Sequence, residues 1–478
     1  MKIPFSKDQI IERIKFENPW WNSQKIDGYY SAMKHREYFN LFFPLVSEKK
    51  IRRAVVLMGP RRVGKTVLLY HTIQKLITDG VSPSSICYFS VETPIYNGMA
   101  LEELIKLFFE IADDKKKSVF YIFFDEIQYL KNWEVHLKSL VDSYHNIKFI
   151  ASGSAAAALK LKSQESGAGR FTEFALPPLT FHEYLSLKNI DNLVHEQDVI
   201  KETAAAPYKA YNYTTPDINK LNEHFIDYIN FGGYPEVSLS KSIQEDPGRY
   251  IRNDIIDKVL LRDLPMLYGI EDIQELNSLF TYIAYHSGGE MSLDSISKSS
   301  GVAKNTIKKY ISYLEAAFLL KRIHRIDNNG KVFQRANFFK IYLTNPSLRC
   351  ALFSPIKESD PFAGNLVETA IFSQWYHDNE ILHYARWDKG EIDVVSLDSF
   401  QKPQWTVEIK WTNKLAEDKR ELKNIILFCT QHKIKDPSIT TYDVTKTEVI
   451  EGLTFKFQPS SLYCYIVGRN LVRYKKII

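Results

Sequence analysis

Apolar and polar residues alternate along this chain on three different rhythms. Between Arg53 and about Thr180, short continuous apolar runs trade places with stretches of helical spacing. RRAVVLM, SICYFSV, VFYIFFDE and IKFIASGS read as buried strands, and Thr66–Ile77 and Ala100–Ala112 as helices. That alternation predicts a parallel sheet with helices on both faces. Residues 1–50 read as helical and rich in aromatics, Trp20, Trp21, Tyr29 and Tyr30 among them. Residues 186–225 are polar and poorly periodic, which reads as an insertion or the edge of a helical lid. Glycine and proline punctuate FGGYPE at 231–236. The pattern is helical from Pro247 to about Phe353, and a second α/β pattern begins near Pro361.

These shifts divide the chain into an N-terminal helical segment (1–50), a P-loop core (51–180), a helical lid and linker (181–265), a helix-turn-helix region (266–353) and a C-terminal α/β domain (361–478). A length of 478 residues suits three or four domains. With 45% hydrophobic and 25% charged residues, each can bury a core of its own. No apolar run approaches the roughly 18 residues that span a bilayer. The N-terminus carries acids and lacks a signal-peptide core. Cys87, Cys350, Cys429 and Cys464 stand far apart, as reduced thiols of a cytoplasmic protein do. A net charge of +5 permits nucleic-acid binding without arguing for it.

The most specific chemistry lies at Gly59-Pro60-Arg61-Arg62-Val63-Gly64-Lys65-Thr66, followed by Val67, which matches GxxxxGK[ST]. It follows a strand and opens a helix, where backbone N–H groups and the helix dipole can hold phosphates. Chance would supply the four fixed positions in about 2% of chains this long. ATP is the expected ligand, with Lys65 on its β- and γ-phosphates and Thr66 on Mg²⁺. Arg61 and Arg62 face either phosphate or solvent. VFYIFFDE releases Asp125 and Glu126 at a strand end. Asp125 would hold Mg²⁺, and Glu126 would polarise the attacking water. Ser152 and Ser154 end the next strand, where one could act as a sensor or simply start a turn. Arg170, in GAGRF, is a candidate arginine finger, in its own subunit or for a neighbour.

NPWW, GPRRVGKT, FDEIQYLKNWEVHLKSLVD, ASGSAAA, GR, LPPLTFHEYL, FGGYPE and LRDLP, in this order, resemble a family of prokaryotic AAA-type ATPases with a C-terminal domain of unknown function. The resemblance covers most of the chain. It implies an AAA-type fold related to signal-transducing ATPases, a winged-helix region and a nuclease-like end.

Residues 291–323 read as helix, glycine turn at Gly301, helix and strand, with Leu293, Ile296, Val302, Ile307, Ile311, Leu314 and Phe318 at helical apolar spacing. This is a helix-turn-helix pattern with Asn305–Leu314 as recognition helix. Ten Lys/Arg face two acids, Glu315 and Asp327, between Lys298 and Lys340. Lys304, Lys308 and Lys309 would be exposed, contacting a DNA backbone or only solvent and protein.

The C-terminal domain presents a helix with Glu368, a strand pair with Glu391 and Asp393, and WTVEIKW with Glu408 and Lys410 on one face. The element order looks like the PD-(D/E)xK restriction-endonuclease core. On that resemblance Asp393 and Glu408, with Glu368, would hold a divalent metal, and Lys410 would steady developing negative charge. The same residues would be ordinary on a half-buried strand face. Asp393, Glu408 and Lys410 meeting in an open cleft is what the catalytic reading requires.

The fold expected is therefore multidomain α/β: an AAA-type P-loop sheet with helices on both faces, a winged-helix region and a restriction-endonuclease-like end. The expected function is ATP binding and hydrolysis that controls a nucleic-acid-acting domain. DNA ranks ahead of RNA as partner, no membrane is involved, and a homo-oligomer is open. The alternatives are an ATP-dependent DNA- or protein-binding regulator with an inactive nuclease fold, and a remodelling or scaffold ATPase without nucleic acid.

Overall fold

Five strands build the first sheet: β1 (Ala54–Met58), β2 (Ile86–Ser90), β3 (Phe120–Asp125), β4 (Ile147–Gly153) and β5 (Phe171–Ala175). They lie in the order β2-β3-β4-β1-β5, every neighbouring pair parallel. β1, β3 and β4 are buried along their whole length, which is why they read as mostly apolar runs, β4 with Lys148 and Ser152 among its buried positions. The structure is a computed structural model and describes residues 5–112, 119–154, 169–201, 208–331, 338–376, 381–388 and 390–474. The GA of GAGRF at 167–168 and the alanines of ASGSAAA at 155–157 lie outside those residues.

The chain divides into two compact units, one built on the residues up to Pro177 and the other on Pro178–Pro265 and Gly269–Tyr474. In the first, β2 is an edge strand, and NPWW covers it. The Asn18 side chain donates to Tyr88 O (2.9 Å) and accepts from Tyr88 N–H (2.7 Å). The indole N–H groups of Trp20 and Trp21 both donate to Ile86 O, at 3.1 and 2.7 Å. Side chains thus satisfy backbone groups that an open edge would offer to another chain.

The second unit carries a two-stranded antiparallel hairpin, β6 (His195–Lys201) and β7 (Tyr208–Thr214), where the sequence reads as a lid edge. Its larger sheet has nine strands: β8 (Glu290–Ser292), β9 (Leu320–Ile326), β10 (Phe338–Leu343), β11 (Leu382–Trp387), β12 (Gly390–Leu397), β13 (Pro403–Glu408), β14 (Ser438–Thr441), β15 (Lys446–Ile450) and β16 (Leu453–Pro459). Their order is β15-β16-β14-β13-β12-β11-β9-β10-β8. The sequence separates 266–353 from 361–478. In the structure the strands of both stretches join, because β9 pairs parallel to β11 through His324–His383, Arg325–Tyr384 and Ile326–Ala385. Two apolar clusters flank the sheet. One gathers the helices Ile218–Phe231, Ala363–Gln374 and Ser460–Tyr474; the other gathers Lys423–His432. In FGGYPE, a Cβ on Gly233 would lie 2.4 Å from the Asn345 side chain, so that approach requires glycine.

The helix-turn-helix pattern takes the form of helices Leu293–Ser300 and Lys304–Ala316, joined at Gly301 in a left-handed conformation with φ 75°. Ile296, Val302, Ile307, Ile311 and Leu314 are buried, and Leu293 and Phe318 half-buried. β8, β9 and β10 form the antiparallel sheet that accompanies them. Among the described residues, no helix is long and apolar enough to cross a membrane. All four cysteines are free and buried.

Candidate nucleotide site and carboxylate cluster

The P-loop connects β1 to the helix Lys65–Thr78, whose free N–H groups point at the loop. A Cβ on Gly59 would stand 2.3 Å from Leu176 O, so the loop's entry passes too close to the backbone beyond β5 for a side chain. Gly64 caps the helix at φ 94°, and Arg62 is left-handed as well at φ 65°. Lys65 is buried, and its Nζ donates to Gly59 O (3.1 Å) and Pro60 O (2.8 Å), lying across its own loop.

β4 lies between β1 and β3, which puts Ser152 between the P-loop and the acidic pair. Thr66 Oγ1 donates to Asp125 Oδ2 at 2.7 Å, linking the two halves of the site. Ser152 Oγ donates to Asp125 Oδ1 and accepts from Glu126 N–H at 3.1 Å. Tyr88 OH donates to Asp125 Oδ2 at 2.7 Å. Burial raises the Asp125 carboxyl above its ordinary range, as does the Glu126 charge; the hydrogen bonds from Ser152, Tyr88 and Thr66 oppose that rise. Glu126 has φ 56°, an uncommon conformation for a residue with a side chain. Its carboxylate accepts from Gln128 Nε2, and Gln128 Oε1 accepts from Ser154 N–H at 3.2 Å. Backbone strain beside aligned polar groups is the kind of feature that gathers at functional sites.

Of the two serines, Ser152 is the one that meets the acidic pair. Ser154 Oγ is buried without a hydrogen-bond partner among the described residues. Tyr88 and Gln128 enter the site unforeseen. Tyr88 stands in the middle of β2, where nothing in the sequence marks it, and Gln128 follows the acidic pair by two residues. Arg170 needs a correction: it does not reach its own P-loop. It precedes β5, whose first residue pairs with Ala54 at the start of β1, and its Nε binds Asp142 Oδ1 at 2.6 Å. It therefore sits at the opposite end of the parallel strands from the P-loop. A finger role would need a second copy of the chain.

In the second unit, β12, the end of β13 and the residues just past it bring Asp393, Glu408 and Lys410 together. Lys410 Nζ lies 2.9 Å from Asp393 Oδ2 and 2.7 Å from Glu408 Oε1. The Ile409 N–H donates to Asp393 Oδ2 at 2.9 Å. Burial pushes the Glu408 carboxyl up to about 8, with the Asp393 charge adding to it and Lys410 opposing it. Burial alone would raise Asp393, yet Lys410 and Lys340 outweigh it and hold Asp393 below its ordinary value. Glu368 is pushed up by burial and by Asp393. An open cleft of about 400 Å³ is lined by Glu368 and Lys410 together with Glu358, Asp360 and Trp411. Asp393 and Glu408 are buried and off its wall, so the convergence stands behind the cleft.

The expected metal set needs correction for this arrangement. Lys340, on β10, sends its Nζ to 3.0 Å from Glu368 Oε1, 2.7 Å from Glu391 Oε1 and 3.4 Å from Asp393 Oδ1. An ammonium thus stands between Glu368 and Asp393 where a cation would be held. Among the described residues, no group of three His, Cys, Asp or Glu side chains is arranged to hold a metal ion. Tyr342, two residues along β10, donates to Glu368 Oε1 at 2.5 Å. Sequence reasoning missed Lys340 because it counted this lysine with the exposed basic residues.

Comparison with known proteins bears on the first site. Residues 51–185 match the family model of the AAA domain. This part of the chain is similar to AAA-type ATPase domains, a likeness that supports nucleotide binding at the P-loop. Residues 222–360 match a domain of unknown function (DUF8612). An uncharacterized protein of Haemophilus influenzae is 24% identical over 426 residues, covering 88% of this chain and 97% of its own. The uncharacterized protein MJ1544 of Methanocaldococcus jannaschii is 26% identical over 379 residues, covering 77% and 78%. Among solved structures, the Aeropyrum pernix Orc1 protein in complex with DNA aligns at a TM-score of 0.31 and 14% identity, over 73% of this chain and 97% of that one.

Proposed function

We propose that this chain is an ATP-hydrolysing switch whose nucleotide state controls a nucleic-acid-acting C-terminal part of restriction-endonuclease-like plan. The observation that carries the reading is that one chain holds both the linked Thr66–Asp125–Ser152–Glu126 array and the gathered Asp393, Glu408 and Lys410. The helix Ala363–Gln374, strands β11 to β13, a helical crossover and β14 parallel to β13 give the αβββαβ order of that plan.

The donor set of the first site fits ATP with Mg²⁺. Bound nucleotide would supply the phosphoanhydride bond to be hydrolysed. Thr66 Oγ1 and Asp125, already hydrogen-bonded, are the oxygens that would hold the cation. Lys65 would give its ammonium to the phosphates in exchange for two loop carbonyls, and Glu126 would take the proton of the attacking water. Lys65→Ala is expected to abolish nucleotide binding, because the phosphates lose the compact ammonium that opens the helix after the loop. Titration with a fluorescent ATP analogue measures it, and unchanged affinity would place the nucleotide elsewhere.

Lys304, Lys308 and Lys309 are exposed on the second helix of the helix-turn-helix pair, where a winged helix would meet a nucleic-acid backbone. Replacing all three by alanine should weaken DNA binding and flatten its salt dependence by up to about three units of log K per log salt. An unchanged slope would mean these lysines serve solvent or protein.

The test of the whole reading is cleavage of single- and double-stranded DNA and RNA with Mg²⁺ or Mn²⁺, with ATP, with ADP and without nucleotide. Absence of cutting in every state would favour the second reading, an ATP-dependent regulator with an inactive nuclease fold. Lys340 among the carboxylates is the observation that speaks for it.

A further inference from the structure

Lysine is almost never fully buried unless paired, and Lys340 has a side chain only 4% exposed. Burial would strip its proton; Tyr342, Glu368, Asp393 and Glu391 around it outweigh burial and keep the ammonium charged. The three carboxylates come from two elements, Glu368 from the helix Ala363–Gln374 and Glu391 and Asp393 from β12. The cation comes from a third, β10, the strand between β9 and β8 that belongs to the helix-turn-helix stretch. The Tyr384 ring lies 5.4 Å from Nζ and closes another side.

A hard divalent cation would want the same oxygens at about 2.0–2.6 Å. Nζ already sits within 3.4 Å of all three carboxylates, so a metal ion and the ammonium cannot share that space. Two positive centres at ~4 Å would also repel. Removing the ammonium alone would leave Glu368 and the buried Asp393 with less compensation, and a metal ion would then be the natural replacement.

We propose that Lys340 is a built-in cation that keeps divalent metal out of the Glu368–Glu391–Asp393 cluster. The inference rests on reading the C-terminal part as nuclease-like in plan, and it explains how such a centre is held silent.

The test uses the full chain without nucleotide, titrated with Mn²⁺ while electron paramagnetic resonance reads the free ion. Lys340→Met should gain about one bound Mn²⁺ per chain, the content of a single carboxylate site. Adding Asp393→Asn to that variant should remove the gain. Lys340→Arg keeps the positive charge and should bind no more than the unaltered chain. Thermal melts give a second readout: Mn²⁺ should raise the Tm of Lys340→Met and not that of the double variant. A folded Lys340→Met that binds no additional Mn²⁺ overturns the proposal. So does Mn²⁺ uptake by the unaltered chain that Asp393→Asn abolishes, an arm that stands even if Lys340→Met fails to fold. Cleavage separates this from the functional reading. Metal uptake by Lys340→Met with no cutting of any nucleic acid would sink the nuclease reading and leave the lysine's role intact. Cutting by the unaltered chain that Lys340→Met leaves unchanged would do the reverse.

Discussion

Glu126→Gln should bind ATP about as tightly as the unaltered chain and hydrolyse it about 10²–10⁴-fold more slowly, the range a positioned general base contributes. The substitution keeps side-chain size and leaves the backbone at φ 56° under the same demand. It also keeps an oxygen for Gln128 Nε2 and leaves the Glu126 N–H bond to Ser152 untouched. What it removes is the capacity to take a proton. The phosphate-binding groups, Lys65 and the loop N–H groups, lie on another strand connection and are unaffected. Phosphate release at saturating ATP measures the first effect, and nucleotide titration the second. Turnover above about a tenth of the original would remove Glu126 from the general-base role. Loss of binding instead would mean that Glu126 holds the loop in shape.

The contrast between what the sequence disclosed and what it hid follows from distance along the chain. The P-loop is eight contiguous residues after a strand, and its chemistry is local, so GPRRVGKT could be read directly. β1, β3 and β4 were legible because strands buried on both faces are predominantly apolar. The hairpin of β6 and β7 was hidden because neither HEQDVIK nor YKAYNYT carries the apolar alternation of a half-buried strand. Arg170 misled for the same reason in reverse. As a candidate finger for its own subunit it would have to lie near the phosphates, but a residue just before a parallel strand lies at the far end from them. Tyr88 reaches Asp125 across 37 residues, and Lys340 reaches Asp393 across 53. No periodicity encodes such pairings. The β9–β11 register that brings Lys340 to the carboxylates depends on how two segments dock, which a single sequence does not spell out.

Asp393→Asn should abolish nucleic-acid cleavage, a loss of at least about 10²-fold, while ATP hydrolysis stays within about twofold. Asp393 is the hub of its cluster. It accepts from Lys410 Nζ at 2.9 Å and from the Ile409 N–H at 2.9 Å, and Lys340 Nζ lies 3.4 Å away. Asparagine preserves the shape and can still accept from the Ile409 N–H, so the strand ends should stay in register. Alanine is the poorer probe, since stripping one partner from a buried charged network costs about 3–5 kcal/mol and confuses folding with function. Without the Asp393 charge, Lys410 loses one of its two carboxylate partners and its hold on the position beside the cleft. Lys410→Ala should therefore lose cleavage too, with the cluster otherwise in place. The ATPase residues lie in the other compact unit, so hydrolysis reports independently that the protein is folded. Cleavage is measured on labelled DNA and RNA in each nucleotide state. Cutting that survives in Asp393→Asn would belong to another site or to a contaminant. Cutting that is lost together with ATP hydrolysis would mean that the substitution has damaged the whole chain.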